Sequence, residues 1–307
     1  MKEQNFDING NTALALGFFD GIHLGHQSVI RATVDYANKN NLLPVVYTFE
    51  ENPGRLFGKS CEVLTTNAER TALLKDMGVK AVVLDDFLNV KDMPPRAFVE
   101  EILLKKLQAK KVFCGFNYHF GKGGVGDSRD LKEISAQFGI SAEEIPPVIY
   151  EGETVSSTRI RGLIANGEIE KANILLGHSF GFSSLVEEGN HLGRTLGTPT
   201  INQKLPENLA VPLFGVYTSI VTVSGKEYCG VTNIGVKPTV GSYSPLAETW
   251  MPEYEGGDLY GQGIDIRLLY FHRKEERFSS LSALQERIKL DGQIALRNIE
   301  KHKRNSK

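Results

Sequence analysis

Residues 17–26 of the chain read GFFDGIHLGH, in which His23 and His26 stand three positions apart among glycines. The apolar run before this stretch, residues 12–16, predicts a buried β-strand, and residues 27–37 have the pattern of an α-helix. Both histidines are therefore expected where a strand passes into a helix. Free backbone N–H groups at a helix N-terminus favour phosphate, and Gly25 lets an anion approach the backbone closely.

The alternative is a glycine-rich turn with two incidental histidines, because short motifs also occur by chance. The strand–turn–helix context and the preceding residues 17–21 favour a functional role. Imidazole N–H groups can stabilise charge that develops on a phosphorus centre. The segment resembles the nucleotidyltransferase superfamily, in which an HxGH signature lies on the first strand–helix turn. The resemblance implies that His23 and His26 contact the phosphates of a nucleotide.

Composition limits the class of protein. The 307 residues suffice for two domains, and a net charge of -2 provides no basic field that would attract nucleic acid. No apolar run has the length of a signal peptide or a membrane span. Cys61, Cys114 and Cys229 form no CxxC pair, which argues against a zinc cluster or a disulfide framework. We expect a cytoplasmic protein without a nucleic-acid, membrane or obligate protein partner.

The first half of the chain alternates predicted strands with predicted helices. The strands are expected at residues 44–49, 80–84 and 111–115, and the helices at 67–77, 95–107 and 128–138. Repeated βα units predict an α/β fold with a Rossmann-like parallel sheet covered by helices on both faces. Ligands bind such sheets at the carboxyl ends of the strands. His23, Asn52 and Asn117 each follow a predicted strand and are expected to converge on one crevice.

The second half is rich in β-type sequence. Runs at residues 181–186, 215–223, 228–234 and 264–271 are broken by glycine, proline and asparagine, and they predict a small antiparallel β-barrel. A helix with Leu281, Leu284 and Ile288 at helical spacing follows, capped by Ser279 or Ser280. We place the domain boundary between residues 178 and 179, with the helical stretch 158–176 leading out of the first domain.

Residues 156–161, SSTRIR, open a predicted helix. The Ser157 and Thr158 hydroxyls can cap that helix or bind phosphate, and Arg161 can form a forked contact with a polyphosphate. Residues 115–122 read GFNYHFGK, where a plain glycine-rich loop is the alternative. Together with the HxGH stretch, these segments resemble the bacterial bifunctional riboflavin kinase/FMN adenylyltransferase family, the FAD synthetases.

For the first half, the resemblance implies adenylyl transfer from ATP to FMN. It places His23 and His26 at the phosphates near the reacting centre, and Arg161 at the leaving pyrophosphate. Asp20 could orient a histidine or approach Mg²⁺, and a turn-stabilising role is equally open. The further ATP-binding residues that we expect in this half are Gly17, Phe18, Asp20, Gly25, Ser157 and Thr158. The flavin-binding residues that we expect are Asn52, Asn117 and Tyr118.

One departure from the family pattern lies in the loop after the second strand. The family usually has Phe-x-Pro-His-Pro there, whereas residues 49–53 of this chain are FEENP. Asn52 therefore stands in place of the histidine. An amide can donate a hydrogen bond but carries no charge.

The second half resembles riboflavin kinases in residues 193–202, GRTLGTPTIN, and 230–239, GVTNIGVKPT. The resemblance implies that Thr200 and Asn202 hold Mg²⁺ and the ATP phosphates, and that Glu248 accepts the proton of the flavin 5′-hydroxyl. A polar turn is the alternative for the proline–threonine pair. Trp250 stands where the family commonly has histidine, and Thr198 where an aromatic residue is usual.

The resemblance extends from about residue 12 to residue 291. It implies a bifunctional enzyme that uses ATP and Mg²⁺, with riboflavin, FMN and FAD as its other ligands. A second hypothesis is a monofunctional FMN adenylyltransferase whose kinase-like domain is degenerate and only binds flavin. A third is a flavin-binding regulator that has lost catalysis.

Overall fold

The computed structural model describes residues 8, 10–54, 58, 62–189, 197–236 and 245–305. These residues form two compact units, and the division falls between Ser157 and Thr158. The functional boundary at residues 178/179 stays a prediction. Residues 193–196 and 237–239 of the two kinase-like motifs, and Cys61, lie outside the described residues.

The first unit contains a five-stranded parallel sheet with the strand order β3-β2-β1-β4-β5. The order reverses between β1 and β4, and a ligand crevice is expected at that point, outside the carboxyl ends of these strands. β5 was not predicted, because its sequence, SAEEI, lacks an apolar run. The strands are β1 (Thr12–Leu16), β2 (Leu43–Phe49), β3 (Ala81–Asp85), β4 (Ala109–Gly115) and β5 (Ser141–Ile145).

Helices cover both faces of this sheet, as predicted. Thr66 and Glu69 form a reciprocal capping box at the start of α2, and Asp127 caps α4. A two-stranded hairpin, β6 (Ile149–Tyr150) and β7 (Glu153–Thr154), precedes α5. The helices are α1 (Leu24–Lys39), α2 (Asn67–Asp76), α3 (Pro95–Ala97) continued by a π-helix (Phe98–Lys106), α4 (Ser128–Ala136) and α5 (Ser157–Ala165).

The central strand β1 is buried along its whole length, and its successive side chains face opposite layers. Leu14 and Leu16 pack in a cluster with apolar residues of the π-helix and with Leu131, whereas Ala15 packs in a second cluster with residues of α1 and α2. Burial on both faces is why β1 has a continuous apolar sequence rather than an alternating one.

The second unit is dominated by a closed antiparallel barrel with the strand order β10-β11-β12-β9-β8-β13. Its polar strands β9 and β12 were not predicted. The predicted helical stretch 158–176 is divided into α5 and α6 (Ile169–Leu176) around Gly167, whose φ of 79° is left-handed. The strands are β8 (Gly181–Glu187), β9 (Thr200–Lys204), β10 (Gly215–Val223), β11 (Lys226–Val236), β12 (Pro245–Trp250) and β13 (Gly263–Arg273).

The long terminal helix α7 (Leu281–Asn305) packs on the outside of the barrel. Ser280 caps it by accepting a hydrogen bond from the Ala283 N–H at 3.1 Å, as one of the two predicted serines. Ala295 and Ile299 pack against Val216, Val231 and neighbouring apolar side chains of the barrel. The predicted fold class is therefore confirmed: a parallel sheet, then a small antiparallel barrel with a terminal helix. Within the described residues, no helix has the length and apolarity needed to cross a membrane.

Candidate active sites

The turn between β1 and α1 is tightly wound and buried. Phe19 and Ile22 have φ angles of 55° and 42°, and a β-branched residue such as Ile22 is strained in this left-handed region. The buried Asp20 carboxylate accepts a hydrogen bond from the Leu64 N–H at 2.6 Å. This contact joins the turn to a segment 44 residues further along the chain, and the role of Asp20 stays a prediction.

His23 and His26 form a stacked pair at the start of α1. Their ring centroids are 3.6 Å apart with an interplanar angle of 18°, and the edge of Phe19 packs on His26. His23 is the N-cap of α1, and its Nδ1 accepts a hydrogen bond from the His26 N–H at 3.3 Å. A Cβ at Gly25 would come within 3.2 Å of the His23 ring, so the glycine leaves room for the stack.

Burial makes both histidines neutral at neutral pH. It lowers the pKa of His23 to about 4, against a smaller raising effect of the backbone hydrogen bond. The pKa of His26 is well below its ordinary value because of burial, His23 and the guanidinium of Arg70, in that order. Because Nδ1 of His23 accepts a hydrogen bond, its proton is assigned to Nε2. The pair can therefore donate imidazole N–H groups without carrying charge.

The predicted flavin-side residues follow strands that flank β1. β2 and β4 both pair with β1 in parallel, so the loops with Asn52 and Asn117 leave the same edge of the sheet as the histidines. Asn52 Oδ1 accepts a hydrogen bond from the Gly54 N–H at 2.9 Å, and Asn117 is exposed. Tyr118 is half-buried and stacks on Phe120 at 6.0 Å. The strand order thus places these loops at one edge of the sheet, and the convergence of His23, Asn52 and Asn117 on one crevice stays a prediction.

The segment 156–161 starts against the same turn. The Ser157 hydroxyl donates to the Asp20 carbonyl oxygen at 3.0 Å, which joins two motifs that lie 137 residues apart in the sequence. Thr158 and Arg161 lie further along α5, where an Arg161 guanidinium nitrogen donates to Thr158 Oγ1 at 3.4 Å. The Phe19 ring lies against Gly17: a Cβ added at Gly17 would be 3.0 Å from the ring.

In the barrel, the strand register gathers polar residues into rows. Glu248 of β12 is paired with Asn202 of β9 on one side and with Asn233 of β11 on the other. In the next row of the same face, Trp250 is paired with Thr200 and with Val231. Paired residues in neighbouring strands point to the same side of a sheet. The register therefore places the predicted kinase residues Thr200, Asn202 and Glu248 together.

With the exception of Asn202, the residues of these rows line a cavity of about 370 Å³ in the second unit. Its size and mixed lining are those of a small-molecule site. Thr200, Asn233 and Glu248 contribute polar groups, and Trp250 and Phe278 contribute aromatic ones. Thr198, buried, also contributes to the lining.

A buried ionic cluster forms another part of the cavity wall. The Asp291 carboxylate, 1% exposed, accepts hydrogen bonds from Arg273 Nε at 3.2 Å and from a terminal nitrogen of Arg273 at 2.7 Å. Arg287 Nε lies 3.5 Å from the same carboxylate, and His272 Nδ1 lies 4.0 Å from it. Burial lowers the pKa of His272, and Asp291 opposes this. The cluster ties α7 to β13 at the cavity that Glu248 also lines.

Thr200 and Asn202 suit a hard cation, because Mg²⁺ takes oxygen ligands and is commonly shared with substrate phosphates. Asn202 is held closely: a Cβ added at Gly189 would overlap its side-chain amide. In the described part of the chain, no group of three or more histidine, cysteine or acidic residues could hold a metal by itself. A mixed site of Thr and Asn oxygens with phosphate oxygens fits these residues.

Sequence reasoning missed two residues that the structure brings to the sites. Asn233 stands within the quoted segment 230–239, so its motif was a signal for its place beside Glu248. Arg70 is 2% exposed and contacts the loops of the first site, but it lies in an ordinary polar helix sequence. Nothing in the residues around it indicates that its side chain is buried.

Two family models match the chain. The FAD synthetase model matches residues 5–159, and the riboflavin kinase model matches residues 176–299. Proteins described as bifunctional riboflavin kinase/FMN adenylyltransferase are similar over nearly their whole length. The Listeria monocytogenes protein is 32% identical, over 92% of this chain and 91% of its own. The Escherichia coli K12 protein is 33% identical, over 91% of this chain and 90% of its own.

The chain belongs to the bifunctional riboflavin kinase/FMN adenylyltransferase family. The predicted family is thus confirmed. A Streptococcus pneumoniae crystal structure described as a macrolide-efflux protein has a TM-score of 0.86 and 30% identity, and covers 94% of both chains. The region between the two matched parts, residues 160–175, is short and contains most of α5 and nearly all of α6.

Proposed function

We propose that this protein converts riboflavin to FMN and FMN to FAD, with ATP as the donor in both reactions. The first is phosphoryl transfer in the barrel unit, and the second is adenylyl transfer at the parallel sheet. We place the junction of the two functional domains at residues 178/179 and the reactions in the cytoplasm, where ATP is available.

In adenylyl transfer, an oxygen of the FMN phosphate bonds to the α-phosphorus of ATP, and the bond from that phosphorus to the pyrophosphate oxygen breaks. No covalent enzyme intermediate is required, so catalysis depends on positioning and on charge stabilisation. The stacked, neutral His23–His26 pair at the start of α1 carries this proposal. Its N–H groups donate to phosphate oxygens as charge develops on them.

The other residues of the first site bind and orient the two substrates. Arg161 holds the leaving pyrophosphate with Ser157 and Thr158, and Asn52, Asn117 and Tyr118 contact the flavin side. Gly17, Phe18, Asp20 and Gly25 form the backbone and turn against which the nucleotide lies.

In riboflavin phosphorylation, the 5′-hydroxyl oxygen bonds to the γ-phosphorus of ATP, ADP leaves, and Glu248 accepts the hydroxyl proton. The position of Glu248 and Thr200 on the wall of one 370 Å³ cavity carries this proposal. Thr200 and Asn202 hold Mg²⁺ together with the ATP phosphates. When bound, the cation supplies neutralising charge at those phosphates.

A monofunctional adenylyltransferase with a degenerate kinase-like domain is the second candidate, motivated by Trp250 and Thr198. Three observations favour the bifunctional enzyme. Glu248, Thr200 and Asn202 are all retained, the strand register brings them together, and the riboflavin kinase model spans the barrel.

Two parallel incubations test the proposal. The purified protein receives ATP and Mg²⁺ with riboflavin in one sample and with FMN in the other, and products are followed by chromatography. The bifunctional enzyme forms FMN and then FAD in the first sample, and FAD in the second. FAD from FMN with no product from riboflavin would establish the monofunctional alternative, and absence of both products would refute the proposal.

A further inference from the structure

Arg70 of α2 is a buried cation at the edge of the sheet where the first site lies. Its side chain is only 2% exposed. One terminal nitrogen donates to the Phe18 carbonyl oxygen at 2.8 Å, and the other donates to the Phe49 carbonyl oxygen at 2.6 Å and to Asn67 Oδ1 at 2.7 Å. The guanidinium also lies over the Phe18 ring, 4.6 Å from its centroid.

The two carbonyls belong to the ends of neighbouring strands. Phe18 follows β1, and Phe49 is the last residue of β2. From Phe18 the chain continues into the turn with His23 and His26, and from Phe49 into the loop with Asn52. The planar guanidinium therefore bridges the starting points of two loops that the proposed reaction uses.

The position of Arg70 is itself well defined. The capping box of Thr66 and Glu69 determines where α2 begins. Asn67, the first residue of α2, accepts a hydrogen bond from Arg70 about one turn later, and its own amide donates to the Glu50 carbonyl oxygen at 2.9 Å. The helix that carries Arg70 thus holds its guanidinium fork, the two terminal nitrogens that donate to the two carbonyls, in place.

The charge of Arg70 acts on the same site. Burial lowers its pKa to about 10, and Asp20 opposes this, so the guanidinium stays charged at neutral pH. The charged and titratable groups that act on His26 are the stacked His23 of the turn and Arg70 of α2, while Asp20 of the turn acts on Arg70. Removal of the Arg70 charge is therefore expected to make His26 easier to protonate.

We propose that Arg70 is a positioning residue for adenylyl transfer: its guanidinium joins the Phe18 and Phe49 carbonyls and keeps the loops of His23, His26 and Asn52 at a constant spacing. The inference rests on the proposed FMN adenylyltransferase activity. Arg70 acts through these loops and needs no contact with the substrates.

Two substitutions separate the fork from the charge. Arg70→Lys keeps the charge, but a single ammonium group cannot reproduce two parallel N–H contacts from one planar group. Arg70→Met removes both. The matched control is Arg129→Lys, an exposed arginine in the first turn of α4 in the same unit. The conversion of riboflavin to FMN by the barrel unit provides an internal measure of intact protein.

For Arg70→Lys we expect kcat for FAD formation from FMN to fall about tenfold or more, because small misplacements of reacting groups are costly. The pH at which kcat/KM falls on the acid side should stay unchanged. For Arg70→Met the rate should also fall, and that acid limb should move to higher pH. FMN formation in both variants, and both activities in Arg129→Lys, should match the wild type.

The inference is overturned if Arg70→Lys retains the wild-type kcat for FAD formation. It is also overturned if kcat falls only in proportion to the unfolded fraction, measured by thermal unfolding at the assay temperature, because Arg70 then has a structural role alone. If the wild type forms FMN but no FAD from FMN, the proposed adenylyltransferase function itself fails, and the inference fails with it.

Discussion

The neutral state of the His23–His26 pair follows from where the chain puts it. The turn that carries the pair is buried, and His23 is the N-cap of α1. Gly25 leaves room for the His23 and His26 rings to stack. The positions of both histidines were predictable from an apolar run followed by HxGH. Their shared stack and the buried fork of Arg70 were not, because these depend on contacts between segments far apart in the sequence.

The lowered pKa of His23 has a consequence for stability. Between pH 6.5 and about 4, the unfolded chain binds a proton at His23 that the folded chain does not, so the free energy of unfolding falls as the pH falls. Protonation at His23 alone should lower the free energy of unfolding by about 2 kcal/mol between pH 7 and pH 5. Asparagine keeps a favourable N-cap. In His23→Asn, the fall in the free energy of unfolding between pH 7 and pH 5, measured by urea unfolding, should therefore be smaller than in the wild type by about this amount.

The exposed His119 gives the control for this measurement. His119→Asn should leave the pH dependence of the unfolding free energy unchanged. An identical fall between pH 7 and pH 5 in the wild type and His23→Asn would contradict the assignment of His23 as a buried neutral histidine.

The fluorescence of Trp250 reports on the kinase cavity, because Trp250 is the only tryptophan of the chain and lines the cavity together with Glu248. Riboflavin bound there should quench most of the indole fluorescence by ring contact and energy transfer. Glu248→Gln should abolish FMN formation and retain the quenching, since the carboxylate accepts a proton and does not build the aromatic wall. Unchanged emission at riboflavin concentrations that saturate turnover would contradict this placement.

At the scale of elements, apolar strands were predictable and polar ones were not. Continuous apolar or β-branched runs predict β1, β2 and β10. No such run marks β9, which contains Asn202, or β12, which contains Glu248. These two strands form because neighbouring strands supply their hydrogen bonds within a closed barrel. The residues that interrupt the pattern are those proposed to act on the substrates.

The pairing of β8 with β13 depends on a glycine. A Cβ at Gly181 would overlap the carbonyl oxygen of Ile266, which is backbone and cannot move aside easily. Gly181→Ala should therefore lower the unfolding free energy of the barrel unit by about 2–3 kcal/mol. It should also reduce FMN formation, as measured by urea unfolding and product chromatography.

Gly263→Ala is the matched control, because Gly263 lies on β13 opposite β8 and its added Cβ would meet nothing within 4 Å. It should change the unfolding free energy by no more than about 0.5 kcal/mol. Equal destabilisation by both substitutions would mean that the overlap at Gly181 is not the cause.

At the scale of the whole molecule, the chain has two units, and the residues proposed for phosphoryl transfer all lie in the second. Of the residues proposed for adenylyl transfer, Thr158 and Arg161 also belong to the second unit, and the others belong to the first. Composition and the change from alternating βα segments to β-rich runs were enough to predict this organisation. The division at Ser157/Thr158 could not be predicted from the sequence, because it falls within α5. Ser157, the first residue of this helix, contacts the turn of the first unit, and the rest of the helix belongs to the second. A continuous helix has no sequence signal at such a point.

This organisation makes the two reactions separable by single substitutions. His23→Asn should lower FAD formation by about 100-fold or more and leave FMN formation from riboflavin unchanged. Glu248→Gln should stop FMN formation and retain FAD formation from added FMN.

The most direct measurement is therefore the formation of FAD from riboflavin, ATP and Mg²⁺ by each variant alone and by an equal mixture of the two. We expect His23→Asn to accumulate FMN, Glu248→Gln to form no product, and the mixture to recover FAD, because FMN released by one protein is used by the other. Wild-type FAD formation from riboflavin by either single variant would contradict the assignment of the two reactions to these two sites.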